Sequence, residues 1–190
     1  MRRGVVTGLL AVLLLGAPGL APRALAAVPE ARPALELPDL EGRTHRLSEW
    51  DGKVVLVNFW ATWCGPCQSE VRNLMRYQGQ YGARGLQIIG VGLDDAAKLR
   101  NFRDTVEMNY PVLVAAEEGS MELLGAWGNT TGVVPYTVVL DIHGRVLERV
   151  TGVVDDEVME EMVLPHLDGG GLPAAPAQGL RTRAATKPRL

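Results

Sequence analysis

The sequence predicts one α/β domain in which a central mixed β-sheet is flanked by helices. Three observations lead there. Two near-continuous apolar, β-rich runs, Lys53–Trp60 (KVVLVNFW) and Leu86–Leu93 (LQIIGVGL), have the pattern of strands covered on both faces. Stretches with apolar residues at helical spacing separate the strands. A last pair of strands turns at His143-Gly144, which makes the sheet mixed rather than wholly parallel.

The elements follow in order. Leu35–Leu40 and Thr44–Leu47 flank Glu41-Gly42-Arg43 and read as a short N-terminal hairpin. After the Lys53–Trp60 strand and the turn Ala61–Trp63, a helix starts around Cys64, with Pro66 in its first turn where a missing N–H costs little. Val71, Leu74, Met75 and Tyr81 give it an apolar face, and Gly82 or Gly85 ends it. Asp94 or Asp95 caps a second helix bearing Leu99, Phe102 and Val106. Pro111–Ala115 is a short strand, Glu118–Trp127 a short helix and Gly128–Val134 a loop. Tyr136–Asp141 and Arg145–Val150 form the last strand pair. Asp155, Asp156 and Glu157 open a final helix that should stop near Pro165.

Both ends of the 190-residue chain fall outside this pattern. Arg2 and Arg3 precede an apolar stretch to Ala17, and Ala24-Leu25-Ala26 offers a small-x-small cleavage site, which together describe a signal peptide or, uncleaved, an N-terminal anchor. The Gly- and Pro-rich end carries few aliphatic residues, too little apolar surface to offset the entropy of ordering. The expected organisation is a signal segment over 1–26, a linker over 27–34, the folded domain over 35–167 and a disordered basic tail over 168–190. Residues 27–167 carry 12 Lys and Arg against 21 Asp and Glu, a net charge of −9. Such a surface argues against nucleic acid as a partner, since phosphate binding relies on clustered cations.

The chain has two cysteines, Cys64 and Cys67, in Cys-Gly-Pro-Cys directly after a buried strand. A purely structural disulfide is one reading, but a four-residue ring restrains the unfolded chain by only about 2 kcal/mol, against about 4.7 for a hundred-residue loop. Zinc commonly needs four ligands, whereas His45, His143 and His166 stand apart and read as surface or turn residues. Two thiolates would also suit copper(I), so a metallochaperone stays open, although no Met or His lies near the pair. A peroxide-reducing protein is a third alternative, disfavoured because both cysteines share one motif. Redox exchange fits best. Cys64 faces unsatisfied helix N–H groups that stabilise its thiolate, and Cys67 can resolve a mixed disulfide from one turn away. A helix end supplies at most about 2 kcal/mol, or about 1.5 pKa units. The acidic surroundings oppose that shift, so the expected pair is more reductant than oxidant.

Val55–Cys67 (VLVNFWATWCGPC), with GLQIIGVGLD, NYPVL and GVVPYTVVLDIHGRV downstream, resembles the TlpA/ResA branch of the thioredoxin superfamily over Leu35–Leu167. The resemblance implies a thioredoxin-like fold and a periplasmic or membrane-anchored thiol–disulfide oxidoreductase acting reductively. Its clients would be proteins with cysteine pairs, in cytochrome c maturation or copper-site assembly, and a membrane thiol carrier would recharge it. It implies a monomer with no cofactor beyond the redox-active Cys64–Cys67 disulfide, and no metal. By residue, Cys64 matches the attacking cysteine, Cys67 the resolving one, and Glu70 a glutamate implicated in function. Pro135 matches a cis-proline, and Trp63, Gly65, Pro66 and Val134 would line the client surface. A strand-start proline and a solvated first-turn carboxylate are the structural alternatives for Pro135 and Glu70. Two departures stand out. Asn58 occupies the place of thioredoxin's buried acid, which leaves Glu70 or water as the base. Arg72 replaces a helix-kinking Pro. Asn129-Thr130-Thr131 also matches a glycosylation sequon.

Overall fold

A computed structural model describes residues 31–167. The signal segment, the start of the linker and the basic tail lie outside the described residues. Strands β1 (Glu36–Pro38) and β2 (Thr44–Arg46) pair antiparallel as the expected hairpin. Asp39 closes its turn by accepting from the Glu41 and Arg43 amides at 2.9 and 2.8 Å. His45, expected at a surface or turn, is buried instead. Its Nδ1 lies 2.8 Å from Glu49 Oε2, its Nε2 lies 3.0 Å from Asp39 Oδ2, and its ring stacks on Trp50. Two carboxylate partners offset the cost of taking the imidazole out of water.

The main sheet has the order β5-β4-β3-β6-β7. Its centre is β3 (Val54–Trp60), buried at every residue, which pairs parallel with β4 (Leu86–Gly92). Helix α1 (Gly65–Tyr81) connects them and runs unbroken past Arg72. Helix α2 (Ala96–Val106), capped by the Asp95 carboxylate on the Ala97 and Lys98 amides, leads to β5 (Val112–Val114), parallel to β4. Helix α3 (Ser120–Ala126) precedes β6 (Tyr136–Leu140) and β7 (Val146–Thr151), which run antiparallel.

Alternation along β3 divides the core. Val55, Val57 and Phe59 face Leu35, Leu47, Leu124 and Trp127. Val54 and Leu56 face Leu74 and Tyr77 of α1, and Trp60 packs with Val71 and Leu99. The segment before β3 crosses the first of these faces. Ala31, within the stretch read as linker, bridges Arg145, and Asp39 bridges Leu113 of β5.

The last segment departs from the regular helix expected of it. One α-turn, α4 (Asp156–Val158), passes into a π-helical stretch at Met159–Val163 and a 3-10 turn at Leu164–His166. Its buried residues Met159, Val163 and Leu167 recur every fourth position. A regular α-helix would rotate such a stripe by about 40° per step, whereas here all three residues pack in the cluster that holds Val54 and Leu56 of β3.

Candidate active site

The site forms where β3 gives way to α1. Thr62 donates to the buried Asp94 carboxylate at the end of β4, and Gln68 Nε2 donates to the Thr62 carbonyl at 2.7 Å, so the turn is held from both sides. Cys64 occupies the N-cap of α1, where its Sγ accepts the Cys67 backbone N–H at 3.2 Å. Pro66 follows, where no intrahelical donor is needed. The two sulfurs are bonded at 2.10 Å with Cα atoms 5.2 Å apart. Cys64 is 6% exposed and Cys67 0%, so the first cysteine is the one an incoming group can meet. Beside it Trp63 is 69% exposed, while Phe59 and Trp60 belong to the core, as expected.

Across from the disulfide, the Val134–Pro135 peptide is cis and the Val134 carbonyl oxygen lies 3.7 Å from Cys64 Sγ. Asn129 shapes the approaching loop. Its Oδ1 accepts from the Thr131 and Gly132 amides, and its Nδ2 donates to the Val133 carbonyl at 2.7 Å. The amide of the sequon match is therefore buried and engaged.

Glu70 overturns the solvated alternative. It stands beyond the first turn of α1 and is fully buried, on the sheet-facing side with Cys67, Val71 and Leu74. Its Oε1 accepts the Val154 backbone N–H at 2.6 Å and its Oε2 accepts from Asn58 Nδ2 at 2.8 Å. Asn58 also donates to Thr137 Oγ1 at 3.0 Å. Burial pushes the Glu70 carboxyl up to about 7, against the opposing pull of the Val154 and Asn58 hydrogen bonds. Thus the acid missing at position 58 has a counterpart on α1, with the asparagine as its donor. Neither Thr137 nor the Val154 amide belongs to a motif around the cysteines. A polar residue in the apolar strand YTVVL was the one signal for Thr137.

The sequence profile of the AhpC/TSA family matches residues 28–149, more than half of the chain. The chain belongs to the AhpC/TSA family. The thiol-disulfide oxidoreductase ResA of Geobacillus thermodenitrificans is 31% identical over 136 residues, 71% of this chain and 75% of that protein. ResA of Halalkalibacterium halodurans is 29% identical over 144 residues, 75% of this chain and 79% of that protein. The crystal structure of a thiol:disulfide interchange protein of the thioredoxin family from Chlorobium tepidum matches with a TM-score of 0.61 at 27% identity, covering 72% of this chain and 97% of that one. Within the AhpC/TSA family the protein sits in the ResA-like branch, as a thiol–disulfide oxidoreductase of thioredoxin-like fold.

Proposed function

We propose that this AhpC/TSA-family protein acts in the periplasm as a reductase of client disulfides, of the kind that serves cytochrome c maturation or copper-site assembly. One observation carries the reading: a helix-capping disulfide whose first sulfur is the reachable one lies within an apolar collar on an acidic protein. Trp63 adjoins Cys64, and Val133 adjoins Val134. Met121 packs where a side chain on Gly132 would sit, and Val153 follows Gly152, whose N–H donates to the Pro135 carbonyl at 2.9 Å. All four are exposed large apolar residues, as a surface meant for a peptide chain requires.

The chemistry balances as two exchanges. The Cys64 thiolate attacks a client disulfide, the client S–S bond breaks, and the leaving client thiolate takes a proton. Cys67, giving its proton to Glu70, then attacks Cys64 of the mixed disulfide. The second client thiolate departs, and Cys64–Cys67 becomes the disulfide. Two electrons pass from the pair to the client, with no added cofactor. A membrane thiol carrier returns them.

Insulin reduction by the reduced protein tests this. Cys64→Ser should abolish turnover, and Cys67→Ser should trap the client as a mixed disulfide. Activity surviving Cys64→Ser overturns the reading; copper carried through desalting without disulfide reduction points to a metallochaperone.

A further inference from the structure

Glu70, Asn58 and Thr137 are fully buried polar side chains brought together from α1, β3 and β6. Asn58 and Thr137 are register partners across the β3–β6 ladder. Asn58 Nδ2 donates to both neighbours, at 2.8 Å to Glu70 Oε2 and at 3.0 Å to Thr137 Oγ1. Its Oδ1 is also buried and has no hydrogen-bond partner among the described residues. Buried amides normally find partners at both ends, so one satisfied at a single end calls for an explanation. The other groups around Glu70 are the Val154 amide from the segment after β7, Cys67 on α1 and the Tyr110 phenol from the segment before β5. Burial first, and then the Glu70 charge, keep that phenol protonated.

This pattern suits a carboxylate and conflicts with the protonated acid. The Val154 N–H belongs to the main chain and can only donate, so Glu70 Oε1 has to keep accepting. A proton arriving on Glu70 therefore goes to Oε2, where its O–H would face the Asn58 N–H₂, donor against donor. A half-turn of the amide exchanges two atoms of nearly equal size and removes that conflict without moving the backbone. Oδ1 then accepts from the Glu70 O–H, and also from the Thr137 hydroxyl, which donates as readily as it accepts. We propose that the Asn58 amide is a proton-linked positioning switch, giving N–H₂ to ionised Glu70 and Oδ1 to protonated Glu70, with Thr137 its partner in both states. Each orientation leaves one end of the amide bare, so neither is locked and the proton on Glu70 decides between them. An ionised aspartate at position 58 could only accept and could not serve both states. The switch lets one carboxyl take a proton and hold it, a role in exchange that rests on the reading of Glu70 as the base for Cys67.

The oxidised protein tests the switch, because its bonded sulfurs do not titrate. Carboxyl carbon NMR follows the Glu70 midpoint, with Glu70→Gln to assign the resonance. Above that midpoint the Asn58 side-chain N–H₂ protons should show a nuclear Overhauser contact to the Thr137 methyl group. Below it the contact should weaken severalfold. In Glu70→Gln the introduced amide has to give its oxygen to Val154 and its N–H₂ to Asn58, so the contact should be weak at every pH. Asn58→Leu, of similar volume, removes the donor to the carboxylate and should raise the Glu70 midpoint by about one unit. The inflection in client release should move up with it. A contact of equal strength at every pH, or an unmoved midpoint in Asn58→Leu, overturns the proposal. A contact that follows the proton, with client release equal in Glu70→Gln and the parent, supports the switch and overturns only the reading of Glu70 as the base.

Discussion

Glu70 shows how neighbours set the chemistry of one side chain. An exposed glutamate is ionised at neutral pH and a poor base for a thiol, but burial places this carboxyl near about 7, where it can both take and release a proton. Glu70→Gln should therefore slow the release of client from the mixed disulfide by about a hundredfold and remove the inflection near neutrality from the pH–rate profile, with the fold retained. Equal rates across pH in the variant and the parent would take Glu70 out of the mechanism. The two sulfurs were legible because four consecutive residues carry them. The surroundings of Glu70 were not, because the Glu70–Asn58 contact spans 12 positions, Asn58–Thr137 spans 79, and Glu70–Val154 spans 84. Helical spacing does place Glu70 beside Cys67 and Leu74, so its burial could have been read from the period alone.

At the scale of elements, apolar runs and caps made β3, β4 and α2 readable, since each is specified by adjacent residues. Asp95→Ala should lower unfolding free energy by about 1 kcal/mol in denaturant titrations, through loss of the α2 cap. The final helix was misread because its four-residue repeat resembles a helical period while tertiary packing decides the turn width. The burial of His45 escapes the sequence because its partners come from two different turns, Asp39 in the hairpin and Glu49 in the 3-10 turn Leu47–Trp50, which only the fold brings together. Burial lowers its pKa, but the hydrogen bonds to Glu49 and Asp39 outweigh this and leave it raised above 6.5. The ion pairs are thus fully present below that value and are lost as pH rises through the raised one. Amide exchange in β1 and β2 should quicken over that rise, and His45→Gln should remove the pH dependence. An identical pH dependence in the variant would show that the histidine does not hold the hairpin.

For the whole molecule, the same buried carboxyl makes stability depend on pH. Its folded value near about 7 lies above the ordinary 4.5, so the folded chain holds a proton that the unfolded chain has already released. This contribution is fully present below pH 4.5 and disappears as pH rises through about 7, amounting to about 3 kcal/mol at about 1.36 kcal/mol per unit. Denaturant midpoints of the oxidised protein should fall across that range, and those of Glu70→Gln should stay flatter. Equal slopes would show that Glu70 is hydrated in solution. The layered fold was legible as a whole because strands and helices alternate. The path of the chain ahead of β3 was not, because two single bridges define it. Those bridges, Asp39 to Leu113 and Ala31 to Arg145, place one strap over both margins of the five-stranded sheet. A version shortened past residue 47 would keep every reacting group and lose that fender. Its trouble would be clumping, strand against bare strand, long before any loss of electron traffic.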